Sequence, residues 1–216
     1  MFRCVVFDLD GTLVNSIDGI MVAINKTFST IGLGPYEWEK DIERFFGKPF
    51  EIWAETLLKE GDKYSEENVK KMKELMHENY SSIGVDYVKL NPGVKEALEV
   101  LKDNGVKIAL ATNTVSGPPQ KFLKHLGVYE YFDKICTVSD VEKGKPEPDE
   151  MICIIKSLNI NPDEILVVGD SETDVEFAKN SGCKICILDA KWNKNITSDY
   201  RVKNMKELVD IVLGKR

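Results

Sequence analysis

The sequence has 216 residues, 43% of them hydrophobic, with 29 Lys and Arg against 36 Asp and Glu and a formal net charge of −7. The hydrophobic content supplies a packed core and excludes an intrinsically disordered chain. The acidic balance and the lack of a long basic run argue against nucleic-acid binding, because phosphate backbones are bound through clustered Lys and Arg.

No stretch reaches the roughly 18 consecutive apolar residues of a membrane-spanning helix, and the amino terminus lacks a secretory pattern. The five cysteines show no disulfide framework, which fits a reducing compartment. Cys183 and Cys186 form a C-x-x-C pair, but they lie in a predicted strand where positions three apart point to opposite faces. We therefore expect a cytoplasmic protein, a monomer or homodimer, that binds neither membrane nor nucleic acid.

The first predicted strand is 5–9, and a helical block follows it. Residues 16–84 contain helix-like stretches with Gly at their joints and no convincing strand. These stretches are 17–32, 38–47, 50–61 and 65–84. A helical block placed between the first strand and the rest predicts a small second domain inserted after that strand.

From residue 85 onward, strand-like and helix-like segments alternate, and the strands are short, β-branched and almost continuously apolar. The predicted strands are 106–112, 134–139, 164–170 and 184–190, and the predicted helices are 92–105, 118–128, 148–160 and 171–182. This alternation predicts an α/β fold with a doubly wound parallel, Rossmann-like sheet. We expect a core domain of residues 1–15 and 85–216 and a helical domain of residues 16–84.

Polar side chains stand at the carboxyl ends of four predicted strands, where open α/β sheets bind ligands. They are Asp8 and Asp10, Thr112 and Asn113, Lys143 and Lys145, and Asp170 with Asp174 one turn further on. Carboxyl ends of parallel strands meet at one edge of a sheet, so we expect these residues to form a single site.

This set of residues fits phosphoryl transfer with a hard metal ion. Mg²⁺ prefers carboxylate oxygens and bridges to phosphate, and aspartate can form an aspartyl-phosphate. Asp8 and Asp10 project to the same side of an extended chain, so one can attack phosphorus while the other transfers protons. Gly11 lets backbone N–H groups approach a phosphate, and Thr112, Asn113 and a lysine would hold its other oxygens.

The same clusters resemble, in order, the four motifs of the haloacid dehalogenase superfamily. "DLDGT" at 8–12 resembles the first motif, Thr112 matches the second, Lys145 in "KGKPEPD" the third, and "GDSETD" the fourth. The resemblance covers essentially the whole chain. It implies that Asp8 is the nucleophile and Asp10 the acid/base.

The resemblance also implies the metal ligands and the phosphate-binding groups. The Asp8 carboxylate, the Asp10 backbone carbonyl and Asp170 would hold Mg²⁺. Thr12 and Asp174 would support them. The groups that would bind phosphate are Thr112, Lys145 and the backbone at Leu9, Gly11 and Asn113. Lys145 is preferred to Lys143 because K-P-x-P begins at Lys145.

The helical domain resembles the family's cap, a lid that closes over substrate. "FFGKPF" at 45–50 resembles the cap loop of phosphoglycolate-phosphatase-like members, where G-x-P carries substrate contacts. Arg44 and Lys48 are the cationic candidates for an anionic substrate tail, with a solvated helix end as their alternative role. Asn15 and Ser16 are interpreted as the hinge into the cap.

Within the family, the residues favour a phosphatase. Phosphonate hydrolases lack the second aspartate of the first motif, which is present here as Asp10. Haloacid dehalogenases need no metal. Mutases of the β-phosphoglucomutase type carry a cap histidine that the sequence around Ile20 lacks, and they tend to have Val in place of Thr12. Thr114 stands where many relatives have Lys, so the subfamily stays open. We expect a Mg²⁺-dependent phosphomonoesterase, phosphoglycolate phosphatase-like, that acts on a small phosphorylated metabolite.

Several alternatives remain. Within the family these are a β-phosphoglucomutase-like mutase and a nucleotidase or pyrophosphatase. A phospho-acceptor signalling domain would need neither the helical insertion nor the fourth motif. An inactive relative that serves as a binding module is disfavoured by the joint presence of Asp8, Asp10, Lys145 and Asp170.

Overall fold

The computed structural model describes residues 2–45, 48, 50–114 and 117–215. The chain forms two compact units, Met1–Asn15 with Lys89–Arg216 and, between them in sequence, Ser16–Val88. No helix within the described residues has the length and apolar character that a membrane crossing requires. The identification of the helical unit as a substrate cap stays a prediction.

The α/β unit is built on a six-stranded sheet in which every neighbouring pair of strands is parallel. The strands of the sheet are β1 Cys4–Phe7, β4 Lys107–Thr112, β5 Lys134–Thr137, β6 Ile165–Gly169, β7 Lys184–Leu188 and β8 Tyr200–Val202. Their order is β5-β4-β1-β6-β7-β8. Outside the sheet, β2 Val14–Asn15 pairs antiparallel with β3 Lys89–Leu90. The predicted parallel α/β fold is confirmed.

The central strand β1 explains the apolar run that precedes the first motif. Val6 is paired with Ala109 of β4 on one side and with Val167 of β6 on the other. All four residues of β1 are buried. A strand enclosed in this way takes apolar side chains at every position. Parallel pairing then brings the residues that follow β4, β1 and β6 to the same edge of the sheet.

The described residues of the second unit form helices joined by turns and loops, and no strand lies among them. Its α-helices are α1 Ile17–Ser29, α2 Phe50–Glu60 and α3 Glu66–Ser82. Helix α1 packs against α3. At this contact the buried Asn79 side chain donates a hydrogen bond of 3.1 Å to the Thr27 hydroxyl, which satisfies both polar groups inside the unit.

Among the described residues, five α-helices accompany the sheet. They are α4 Val94–Asp103, α5 Pro118–His125, α6 Asp149–Leu158, α7 Glu172–Asn180 and α8 Met205–Val212. Helix α4 shows why they form, since its buried residues recur at helical spacing and include Val94, Leu98 and Leu101. In α7, the Ser171 hydroxyl accepts a hydrogen bond from the Asp174 amide, which fixes the turn that carries Asp174.

Some elements differ from the sequence prediction. The patterns do not predict β8, α8 or the β2–β3 pair. The stretch predicted as a helix over 38–47 forms a π-helix at Trp38–Ile42 and a 3₁₀ turn at Glu43–Phe45, while residues 46 and 47 lie outside the described residues. Only Ile42 and Phe45 are buried in these two turns, so little packing supports a regular α-helix there.

The C-x-x-C pair lies in the core of the α/β unit. Cys183 and Cys186 are buried free thiols. Burial raises the pKa of each of them to about 12, which keeps the thiolate, the form that binds metal and exchanges disulfides, out of reach at neutral pH.

Glu150, in the first turn of α6, is a buried carboxyl group in an unusual setting. It is fully buried, and neither carboxylate oxygen has a hydrogen-bond partner within ordinary limits among the described residues. Burial raises the pKa of Glu150 to about 7, although the charge and backbone amide of Lys145 act in the opposite direction. An acid whose pKa is raised on folding destabilises the fold increasingly as pH rises from its unfolded pKa through its folded one.

We therefore expect Glu150→Gln to increase the free energy of unfolding more at pH 8 than at pH 5. The shift in pKa corresponds to a difference on the order of 2 kcal/mol between the two pH values. Urea unfolding at both pH values measures it. Glu147→Gln, at an exposed position in the loop just before α6, is the control and should give the wild-type pH dependence. An equal effect of Glu150→Gln at both pH values would contradict the assignment.

Candidate active site

The candidate site lies at the carboxyl edge of the sheet, where β4, β1 and β6 are neighbours. Asp8 follows β1 directly, Thr112 ends β4, and Asp170 follows β6 directly. Lys145 reaches the edge from the loop between β5 and α6, and Asp174 comes from the first turn of α7. Residues from four separate sequence motifs thus occupy one edge.

Lys145 is the centre of this group. Its ammonium nitrogen lies 2.6 Å from Asp8 Oδ1 and 2.7 Å from Asp174 Oδ1. The side chains of Lys145 and Asp174 are only 4% and 1% exposed, whereas Asp8 is 13% exposed. A buried ammonium is tolerated when it is paired and hydrogen-bonded, and both conditions hold here. Of the three, Asp8 offers the most open surface to a ligand.

The charges in the site perturb one another strongly. Burial raises the pKa of Asp8 well above its usual value, and the nearby charges of Asp174 and Asp170 add to this effect while Lys145 opposes it. Burial alone would lower the pKa of Lys145, but the charges of Asp174 and Asp8 outweigh it and the pKa is raised. Lys145 therefore stays protonated, and the site has more carboxyl groups than this single positive charge can neutralise.

Asp170 is held by donors on both oxygens. The Thr12 hydroxyl lies 3.2 Å from Oδ1, and the Trp192 indole nitrogen lies 2.7 Å from Oδ2. The Asn193 side chain donates to the backbone carbonyl of Asp170 at 2.9 Å. Burial first, and then the charge of Asp174, raise the pKa of Asp170 to about 7. These hydrogen bonds thus fix the orientation of the carboxylate, and an added positive charge nearby would lower its pKa.

Asp174 links the site to the start of α7. Its Oδ2 accepts hydrogen bonds from the Ser171 hydroxyl at 2.6 Å and from the backbone amides of Ser171 and Asp170. Its Oδ1 accepts from Lys145. Both oxygens therefore serve a structural contact, and a negative charge at this helix start is also favourable.

Three carboxylates are placed so that they could share a metal ion. The ligand atoms of Asp8, Asp170 and Asp174 lie within 4.8 Å of one another. The carboxylate of Asp10 is oriented differently, because its Oδ2 accepts a hydrogen bond of 2.9 Å from the Thr114 hydroxyl. The predicted contribution of Asp10 to the metal runs through its backbone carbonyl and stays a prediction.

Gly11 allows the loop after β1 to lie against Asp170. Its φ is +85°, and a Cβ at this position would lie 2.5 Å from Asp170 Oδ2, so no other residue fits. Its amide donates to the Val14 carbonyl at 2.9 Å. The predicted role of this amide toward phosphate would compete with that bond and stays a prediction, as does the role of the Leu9 backbone.

The second and third motifs are joined by a hydrogen bond. The Asn113 side chain donates to the Lys145 carbonyl at 2.9 Å, and the Thr112 hydroxyl accepts from the Thr114 amide at 3.2 Å. Lys143, the other candidate lysine, is exposed, and its backbone amide donates to Asp149. The structure therefore brings Lys145, and not Lys143, to Asp8.

Arg44 and Lys48 belong to the helical unit and are both exposed. The Arg44 guanidinium forms an ion pair of 2.8 Å with Glu60 and lies 4.6 Å from the centre of the Phe45 ring. The Lys48 carbonyl accepts from the Trp53 indole at 3.1 Å. The contacts of Arg44 and Lys48 with substrate stay a prediction.

The sequence analysis assigned no role in the site to Trp192, Asn193 and Asn91. Trp192 and Asn193 follow β7 at the same sheet edge, and Asn91 donates to the carbonyls of Gly11 and Thr12 at 3.1 and 2.9 Å. The strand-end rule applied to β7 would have pointed to Trp192 and Asn193. Asn91 directly precedes the helix predicted at 92–105, and the sequence pattern there indicates only the start of that helix.

The amino-acid sequence of the chain matches a known family of proteins. Haloacid dehalogenase-like hydrolases match residues 5–188. Phosphoglycolate phosphatase of Aquifex aeolicus is 31% identical over 213 residues, 97% of this chain and 96% of the relative. A pyrophosphatase of Halalkalibacterium halodurans is 30% identical over 213 residues, 96% of this chain and 95% of the relative.

A solved structure agrees with these relatives. The crystal structure of a predicted phosphoglycolate phosphatase from Haemophilus somnus covers 100% of this chain and 98% of its own, with a TM-score of 0.86 and 27% identity. Sequence and fold therefore agree over the whole chain, and the expectation of a hydrolytic enzyme is confirmed. The chain belongs to the haloacid dehalogenase-like hydrolases.

Proposed function

We propose that the protein is a Mg²⁺-dependent phosphomonoesterase that acts on a small phosphorylated metabolite through an aspartyl-phosphate on Asp8, in the manner of the phosphoglycolate phosphatases. The observation that carries the proposal is the placement of Asp8. Its carboxylate is the most exposed of three clustered carboxylates and lies against the buried ammonium of Lys145. An activated carboxylate of this kind is a suitable nucleophile for phosphorus.

The donor set fits Mg²⁺. Two of the three clustered carboxylates contact the ammonium of Lys145, and Mg²⁺ prefers carboxylate oxygens while it keeps several waters for contact with phosphate. The proposed ligands are Asp8, Asp170 and the Asp10 carbonyl, with Asp174 and Thr12 in support. When bound, the cation would offset the excess negative charge and draw a substrate phosphate toward Asp8.

The reaction has two displacements at phosphorus. In the first, an Asp8 oxygen bonds to phosphorus, the bond to the leaving-group oxygen breaks, and Asp10 donates the proton which that oxygen takes up. In the second, Asp10 removes a proton from water as the water oxygen bonds to phosphorus, and the bond to Asp8 breaks to release phosphate. The Thr114 hydroxyl, 2.9 Å from Asp10 Oδ2, holds the proton-transferring carboxyl in place.

The remaining polar groups would bind the phosphoryl oxygens. Lys145 supplies positive charge beside Asp8, and its position is set by Asp174 and by the hydrogen bond from Asn113 to its carbonyl. The Thr112 hydroxyl and backbone groups near Asn113 would complete the set. Donors fixed before substrate arrives stabilise charge that develops in the transition state.

The choice of substrate belongs to the helical unit, which we propose to be the cap. Arg44 and Lys48 are its cationic candidates for an anionic substrate tail, as a carboxylate on phosphoglycolate would be. A pyrophosphatase is the second candidate, favoured by the relative from Halalkalibacterium halodurans. The net charge of −7 and the free thiols favour a cytoplasmic enzyme with no nucleic-acid partner.

The metal requirement is tested with p-nitrophenyl phosphate. We expect hydrolysis with Mg²⁺, loss of activity in excess EDTA, and recovery when Mg²⁺ is returned, because the carboxylates need a cation to accept a phosphate. The measurement is the initial rate under each condition. Turnover that persists at full rate after chelation would remove the metal from the mechanism.

Asp8→Asn tests the nucleophile. We expect activity to fall by at least about 10³-fold, since the amide cannot form the acyl-phosphate. Asp163→Asn, an exposed aspartate next to β6, is the control and should retain the wild-type rate. Mass spectrometry of acid-quenched protein should find phosphoryl on Asp8 in the wild type. A folded Asp8→Asn protein with substantial activity would show that another group attacks.

Lys48→Ala tests substrate recognition by the helical unit. We expect KM to rise more for a carboxylate-bearing substrate such as phosphoglycolate than for a neutral phosphate ester, because only the former gains from an added positive charge. Lys63→Ala, another exposed lysine of the same unit, should change neither KM. Equal changes for both substrates in Lys48→Ala would assign Lys48 to the solvated surface.

A further inference from the structure

Trp192 lies in the loop that follows β7, the strand next to β6 in the sheet. Its indole nitrogen donates to Asp170 Oδ2 at 2.7 Å. Trp192 as a residue is 37% exposed, so a large residue that also faces solvent makes this contact. The indole N–H is a donor only, and it can therefore bind the carboxylate of Asp170 but cannot replace it as a ligand.

The loop that carries Trp192 is anchored by its neighbour. Asn193 is fully buried, and its side-chain nitrogen donates to the carbonyls of Asp170 and Leu188, each at 2.9 Å. Its side-chain oxygen accepts from the Ala190 amide at 3.0 Å. Arg201 of β8 donates to the Asn193 carbonyl at 3.1 Å. The backbone next to Trp192 is thus held on several sides, which limits the positions open to the indole.

The Asp170 carboxylate has little freedom to turn. Gly11 lies so close to Oδ2 that a Cβ there would approach to 2.5 Å, and Thr12 donates to Oδ1 at 3.2 Å. Of the two hydrogen bonds to this carboxylate, the one from Trp192 is the shorter. Trp192 also lies outside the four motifs. Without it, Oδ2 would keep only the steric contact with Gly11 among these three neighbours.

We propose that Trp192 is a positioning residue for the metal site, whose N–H fixes the Asp170 carboxylate in the orientation that binds the divalent cation. The inference rests on the proposed function, since it takes Asp170 as a ligand. A ligand held in place before the cation arrives loses less conformational freedom on binding, so removal of the N–H weakens the site without removing a ligand.

The test is the affinity for Mg²⁺, measured by isothermal titration calorimetry on the full chain without substrate. We expect Trp192→Phe, which keeps the aromatic ring and removes the donor, to raise the Kd about tenfold, or about 1.4 kcal/mol. Activity should need correspondingly more Mg²⁺, whereas kcat at saturating Mg²⁺ should stay close to the wild-type value. Trp53→Phe, in the helical unit, is the matched control and should leave the Kd unchanged.

The melting temperature in EDTA separates positioning from folding. A Trp192→Phe protein that melts like the wild type but binds Mg²⁺ more weakly supports the proposal. A Trp192→Phe protein that melts like the wild type, with a Kd for Mg²⁺ within twofold of the wild-type value, overturns the proposal. Should Trp192→Phe not fold, indole emission decides: a change on Mg²⁺ addition that a Trp38→Phe, Trp53→Phe double variant retains supports the proposal, and an unchanged emission of that variant overturns it.

Failure of the proposed function gives a different result. A wild-type protein that neither binds Mg²⁺ nor hydrolyses phosphate esters overturns the function and this inference together. A wild-type protein that does both, while Trp192→Phe binds Mg²⁺ equally well, overturns only the role of Trp192.

Discussion

The paired ammonium of Lys145 is the interaction on which the site depends. Its contacts of 2.6 Å with Asp8 and 2.7 Å with Asp174 connect the central strand, the loop before α6 and the first turn of α7. These charges are almost completely buried, and removal of one partner would leave another uncompensated at a cost of several kcal/mol. The sheet, the third motif and the start of α7 must therefore adopt their positions together.

The same arrangement leaves a surplus of negative charge. Lys145 faces Asp8 and Asp174, while Asp170 lies in the same cluster without a cationic side chain in hydrogen-bonding contact among the described residues. The raised pKa values of Asp8 and Asp170 are the physical consequence. Burial of carboxyl groups close to one another lowers the stability of the fold. Such a loss of stability is typical of sites that bind a charged ligand.

The sequence predicts those parts of the molecule that local pattern determines. Five of the six sheet strands lie in short, mainly apolar runs, and the four motifs follow strand ends, so their meeting point could be inferred from parallel pairing. β8 is only three residues long and has one fully buried side chain, Val202, so it carries little signal. Trp192 and Asn193 contact Asp170 across more than 20 residues of sequence, and such contacts depend on the sheet order.

The β2–β3 pair shows how the chain keeps its chemistry in one unit. Val14 pairs with Leu90 just where the chain leaves for the helical segment and returns from it. Beside this pair, the Asn91 side chain donates to the carbonyls of Gly11 and Thr12, so the loop after Asp8 is fastened within the α/β unit itself. The hydrogen bonds that hold this loop to Asn91 therefore lie within one compact unit, next to the strand that carries Asp8.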